Sequence, residues 1–208
     1  MSIYVLTERR VAAEDLPAYL DLIRQTRERW VAGGGLLFNR LAISVDDPTH
    51  VLGITRWRTA EAFTTSLRET PPELLAAFAA VVEKGYGDWQ FYRPVREIEN
   101  FALRAQFLLV ELLTVPSDEV ERFLATCQAA QERAIQLPGI AASRLLQAVD
   151  DRTRILGICE LAEEEAASRR QALLEEVFGA FPHVATRSFS GRIGAQWELP
   201  PISARPPL

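Results

Sequence analysis

Residues 35–54 lie over residues 139–158 without a gap, 104 positions apart, and half of the paired residues are identical. The shared set runs from Gly35 and Gly139 through Arg40 and Arg144, Asp46-Asp47 and Asp150-Asp151, to Gly53-Ile54 and Gly157-Ile158. Two copies in 208 residues mean a duplicated domain, since a solenoid needs three or more stacked units. Whatever one half folds into, the other must approximate, so every local reading can be checked twice.

Each half reads as the same series of elements. The runs 3–8 and 107–112 are β-prone. Leu16, Tyr19, Leu20, Ile23 and Trp30 then recur at helical spacing, and the offset carries them onto Val120, Phe123, Leu124, Cys127 and Ala134. Ser117 ahead of Asp118 and Glu119 suits a helix N-cap, and Gly33 to Gly35 and Gly139 mark the stops. The matched block predicts a strand over 36–45, a turn at Asp46-Asp47-Pro48-Thr49 and a strand over 50–57. A second helical region covers 60–67 and 73–82, interrupted by Pro71-Pro72, which cannot continue a helix; its counterpart over 163–178 has no break. Closing strands fall at 89–95 and 185–193.

The order β-α-β-β-α-β is the ferredoxin-like split βαβ, an antiparallel sheet with helices on one face. A single copy would leave the other sheet face bare. The economical remedy is to press two sheets together, which a duplicated chain can do within itself. The expected fold class is therefore α+β: two ferredoxin-like repeats, 1–98 and 107–195, forming an intramolecular, pseudo-dimeric α+β barrel. A linker at 99–106 and a Pro-rich tail at 196–208 complete the division.

With 48% hydrophobic residues the chain can bury a sizeable core. A net charge of −5 without a basic run argues against nucleic acid and anionic membranes as partners. Charged residues by position 10 and the lack of an apolar run of about 20 residues argue against a signal peptide or a membrane span, and point to the cytoplasm. Cys127 and Cys159 replace Ile23 and Thr55 of the other half, which suits small buried side chains better than a disulfide or a metal site. The only lysine, Lys84, stands beside Gly85 in a loop and is a poor Schiff-base candidate.

Positions kept in both halves serve the fold, so a pocket is sought where one half is richer. Trp30 stands against Ala134, Asn39 against Ser143, His50 against Arg154 and Trp57 against Leu161. Trp89 and Tyr92 correspond to small or charged residues around Ala185 and Arg187. Aromatic walls with a few polar donors are the usual makeup of small-molecule pockets, which places the candidate site in residues 1–98. Trp30, Phe63, Trp89 and Tyr92 would bind a ligand, and Asn39, Trp57 and Arg40 would act on it. Each has a plainer reading too: the tryptophans as core, Asn39 as the partner of a backbone group, Arg40 and Arg144, kept in both halves, each as the cation of a structural ion pair near the pseudo-twofold. His50 and His183 follow turns and suit the surface. The paired aspartates suit turn capping. No Walker motif or nucleophile elbow occurs.

Trp57-Arg58-Thr59-Ala60-Glu61-Ala62-Phe63, a tryptophan ending the third strand ahead of a Glu-Ala-Phe helix start, resembles the antibiotic-biosynthesis monooxygenase family of dimeric α+β barrels. That resemblance implies a cofactor-independent monooxygenase, acting with dioxygen on an aromatic or polyketide-type molecule without flavin or metal. It leaves open a non-catalytic binding or sensing protein on the same barrel, or a haem-binding or haem-degrading one. A histidine often follows the Glu-Ala-Phe in that family; Ser66 stands there in this chain and Arg170 in the second half, where Leu161 also replaces the tryptophan. The Asn and His implied for haem degradation are not matched. As to assembly, the duplication implies a monomer with an internal pseudo-dimer, or a further homodimer.

Overall fold

The structure, a computed structural model, describes residues 1–83 and 89–193. The expected tail at 196–208 and Lys84 lie outside them. The chain is α+β, with two β-α-β-β-α-β series in sequence, the first with its second helix split.

The first compact unit covers residues 1–90. Strand β1 (Ile3–Arg10) leads to α1 (Leu16–Ala32), the hairpin β2 (Leu36–Ser44) and β3 (His50–Trp57), then α2 (Ala60–Arg68) and α3 (Pro72–Val81). Its sheet runs β1-β3-β2, antiparallel throughout. Helix α1 ends as expected at Gly33, followed by Gly34 at φ 73°, a left-handed conformation that favours glycine. Thr59 caps α2, its side-chain oxygen accepting from the backbone N–H of Ala62 at 3.0 Å. Pro71-Pro72 separates α2 from α3, as its missing donors require.

The second unit covers residues 91–193. It holds β5 (Phe107–Thr114), α4 (Val120–Ala134), β6 (Ile140–Ala148), β7 (Arg154–Leu161), α5 (Ala166–Gly179) and β8 (Ala185–Ile193), and its sheet order is β8-β5-β7-β6. Strand β4 (Gln90–Glu99) adds to that sheet beside β6, with its register shifted between Pro94 and Arg96, where proline withdraws a ladder donor. Ladder hydrogen bonds, not chain order, therefore decide which unit β4 packs with. Helix α4 starts at Val120 without a side-chain cap, so the capping expected of Ser117 is not made.

The repeat extends to irregularities. Each hairpin carries the same one-residue bulge, between Leu36 and Phe38 in β2 and between Ile140 and Ala142 in β6. Asp47 Oδ1 accepts from Thr49 N at 3.0 Å and Oγ1 at 2.6 Å; Asp151 Oδ1 accepts from Thr153 N at 2.9 Å and Oγ1 at 2.7 Å. The paired aspartates thus close turns, and these bonds hold both carboxyls below their usual pKa. Val11, Tyr19, Leu41 and Val51 form a buried cluster whose four counterparts, Val115, Phe123, Leu145 and Ile155, are buried together in the other unit.

Candidate functional site

A cavity of about 340 Å³ lies in the first unit between the sheet and its three helices. From β1 come Val5, Thr7 and Arg9, alternate residues and hence one face of the strand. Register brings Asn39 opposite Thr55 and Leu41 opposite Gly53, and all four face the cavity. The bulge makes this possible, because Leu36 and Asn39, an odd number of positions apart, share a face only with one residue set aside between them. Gly53 forms floor that nothing larger could: a Cβ there would stand 2.6 Å from Thr7 Oγ1.

The helices supply Tyr19, Ile23, Thr26, Arg27 and Trp30 from α1, Phe63 and Leu67 from α2, and Leu75, Phe78 and Ala79 from α3, with Val82 and Trp89 beyond. Spacings of three and four residues along α1 put its five on one face. The aromatic side chains make a continuous wall. Trp30 meets Trp57 edge-on at 5.2 Å between centroids, Trp57 meets Phe63 at 5.4 Å and Phe63 meets Trp89 at 5.3 Å. Trp30 is tethered by its indole N–H, which donates to Thr70 Oγ1 at 3.3 Å.

Of the residues singled out from the sequence, Asn39, Trp30, Phe63 and Trp89 line the cavity. Trp57 is fully buried behind it; its indole N–H donates to Thr55 Oγ1 at 2.8 Å, and Thr55 does line it. Arg40 is outside the lining, with its guanidinium 4.6 Å over the Phe38 ring and donating to the Asn39 carbonyl at 3.1 Å. Tyr92 is also outside it, buried opposite Ala148 on β4. His183 is exposed and His50 half-buried, and neither lines the cavity.

Sequence reading missed Arg9, Arg27, Tyr19, Thr7 and Thr26. Arg27 and Thr26 face Gln131 and Ala130 across the offset, so the contrast between halves was available to find them. The lining contains two guanidinium groups and, among the described residues, no carboxylate and no imidazole. Burial pushes the Tyr19 hydroxyl up to about 12, with nearby Arg9 opposing, so it is a neutral donor at physiological pH. Burial also lowers the Arg27 pKa, Glu28 opposing. The site can hold a flat apolar body, offer hydrogen bonds from Asn39, Tyr19 and the threonines, and stabilise negative charge.

Comparison with known proteins bears on this unit directly. Residues 2–84 match the antibiotic biosynthesis monooxygenase family. The monooxygenase-family match covers every strand and helix around the cavity. The whole chain is also similar in fold to a candidate monooxygenase from Fusobacterium nucleatum subsp. nucleatum (11% identity, 92% of each chain covered, TM-score 0.74). Another, from Lactobacillus acidophilus, has 13% identity over 95% of this chain and 98% of its own, with TM-score 0.74. An anthrone oxidase-like protein has 16% identity over 93% and 91%, with TM-score 0.67. No relative was found among curated proteins. The expected family resemblance and α+β fold class are thus borne out. No helix among the described residues is long and apolar enough to cross a membrane.

Proposed function

We propose that the first repeat binds a flat aromatic molecule of polyketide type in its cavity and oxygenates it with dioxygen, without a bound cofactor. The observation that carries this is the aromatic-walled, arginine-lined cavity of about 340 Å³ within the segment that matches the monooxygenase family. That volume is at the lower end for small-molecule sites, roughly 300–1,000 Å³, and suits a few fused rings.

The chemistry follows from what the lining offers. A ring activated for reaction with dioxygen must first lose a proton, and among the described lining residues no group titrates near neutrality. The substrate must then be acidic itself, an enol or phenol that gives its proton to water and is held as the anion. Arg9 and Arg27 stabilise that charge, Asn39 and Tyr19 donate to the ring oxygen, and the aromatic wall excludes water. The electron-rich anion gives an electron to dioxygen and the two radicals join through the new carbon–oxygen bond; the peroxide so formed takes a proton from water and loses its outer oxygen as water, together with the remaining hydrogen of that carbon, to leave a carbonyl. Trp57 acts from behind, by holding Trp30, Phe63 and Thr55 in place.

Oxygen uptake over a panel of anthrones and hydroquinones tests this, with quenching of the tryptophan fluorescence reporting binding separately. Asn39→Ala is expected to lower the turnover number about a hundredfold with quenching largely retained. Tight quenching without uptake by any member of the panel would instead make the protein a binding or sensing module. For the haem reading, neither histidine lines the cavity, and a Soret band acquired on mixing with haem would revive it.

A further inference from the structure

A second, smaller cavity of about 50 Å³ lies in the second unit, and it occupies the same positions of the repeat. Thr7, Tyr19, Ile23, Arg27 and Asn39 line the first; 104 residues on, Glu111, Phe123, Cys127, Gln131 and Ser143 line the second. The offset holds into the following helix, because a Cβ on Gly35 would lie 3.0 Å from that of Ala62 and one on Gly139 would lie 2.9 Å from that of Ala166. Ser66 is therefore the counterpart of Arg170 in space as in sequence. What distinguishes the second cavity is its filling. Arg170 reaches from α5 to Glu111 on β5 and donates to both carboxylate oxygens, at 2.5 and 2.7 Å, each side chain under a tenth exposed. One polar atom beside them is unsatisfied: Oε1 of Gln131, a residue 8% exposed, accepts no hydrogen bond among the described residues, while its amide donates to Ser143 Oγ at 3.0 Å.

We propose that the Arg170–Glu111 pair plugs a latent binding site in the second repeat, suited to a small flat aromatic molecule with one hydrogen-bond donor. The walls next to the pair are apolar, Phe123, Leu145, Val177 and Phe178, and an apolar cavity of about 150 Å³ takes up benzene. Shortening both plug residues to those of the first repeat brings the void towards that size. Gln131 Oε1 then accepts from the ligand's N–H or O–H and gains the partner it lacks. This does not depend on the catalytic reading of the first cavity.

Indole is the probe, because its N–H is the required donor. Calorimetric titration of Glu111→Thr/Arg170→Ser should show one indole site per chain beyond those of the wild type. 1-Methylindole, without the N–H, should bind that added site at least tenfold more weakly, and indole should slow alkylation of Cys127, which lines the cavity. A folded double variant that takes up no more indole than the wild type would overturn the proposal. Glu111→Val/Arg170→Ala, which removes the same pair and leaves no polar group stranded beside Gln131, decides the matter if the first variant fails to fold. It too should take up one indole more per chain than the wild type, and equal uptake overturns the proposal.

Discussion

The two cavities descend from one design and have parted in opposite ways. In the first repeat the positions around the sheet face became threonine, asparagine and arginine, and the wall became Trp30, Trp57 and Phe63. In the second, Ala134, Leu161 and Ala167 replace those aromatics, yet the space is smaller, because a charged pair was driven into it. Large side chains at the rim hold a chamber open; long side chains crossing its middle close it. The difference teaches that pocket size depends on where volume is added, not on how much.

The comparison breaks hardest at the plug. Arg170→Ala strands the Glu111 carboxylate in a buried site and is expected to cost about 3–5 kcal/mol of unfolding free energy, whereas Ser66→Ala at the matching position stays within about 0.5 kcal/mol. Denaturant titration of both variants checks this, and comparable losses would mean that the pair is not the element that fills the cavity. Burial by itself lowers the Arg170 pKa, but the Glu111 charge and hydrogen bonds outweigh it and raise the net value, which keeps Arg170 charged.

Next comes the aromatic wall. Trp57, fully buried and edge-on to two rings, is expected to cost about 3–5 kcal/mol on truncation to alanine and to weaken quenching by ring ligands, while Leu161→Ala costs about 2–5 kcal/mol and leaves the first cavity's ligand affinity unchanged.

Tyr19 against Phe123 sharpens the comparison through pH. The folded-state pKa of Tyr19 is raised to about 12 by burial, against an unfolded value of 10.0, so the contribution is whole below pH 10 and is lost as pH rises towards 12. Unfolding free energy should therefore fall over that window by about 2 kcal/mol more than in Tyr19→Phe. Identical alkaline profiles would mean that the hydroxyl is not buried in the cavity wall.

The smallest effect should be nearly symmetric. Asp47→Ala and Asp151→Ala each remove the same pair of turn hydrogen bonds and should each lower the melting temperature slightly, Asp47→Ala the more because Asp47 also accepts from Arg10 at 2.6 Å.

Much of this architecture was legible because duplication doubles the signal. The strands His50–Trp57 and Ala185–Ile193 and the break at Pro71-Pro72 fall where periodicity and proline chemistry place them. The richer half was also legible, from Trp30, Asn39 and Phe63. Arg40 and Arg144 show the limit. Identical in sequence, they differ in surroundings: Arg144 is buried and bonded to Glu160 and, at 2.5 Å, to Glu99, whereas Arg40 stacks on Phe38. The partner position decides, since Glu160 is matched by Arg56, and a residue's role follows its neighbours. Arg27 and Tyr19 escaped notice because charge and a hydroxyl on an amphipathic helix look like its wet edge and its core; only the packing of three helices over one sheet turns both inward.

The bulge at Leu37 has a consequence for how this site can change. Every side chain from Phe38 to Ser44 owes its direction to that one residue out of step. Losing it would swap the inner and outer faces of β2 in a single event, turning Asn39 and Leu41 away from the chamber and Arg40 into it. No substitution at the chamber's surface reaches so many positions at once, so the ligand contacts on this strand are inherited as a block whose orientation hangs on a leucine outside the cavity lining.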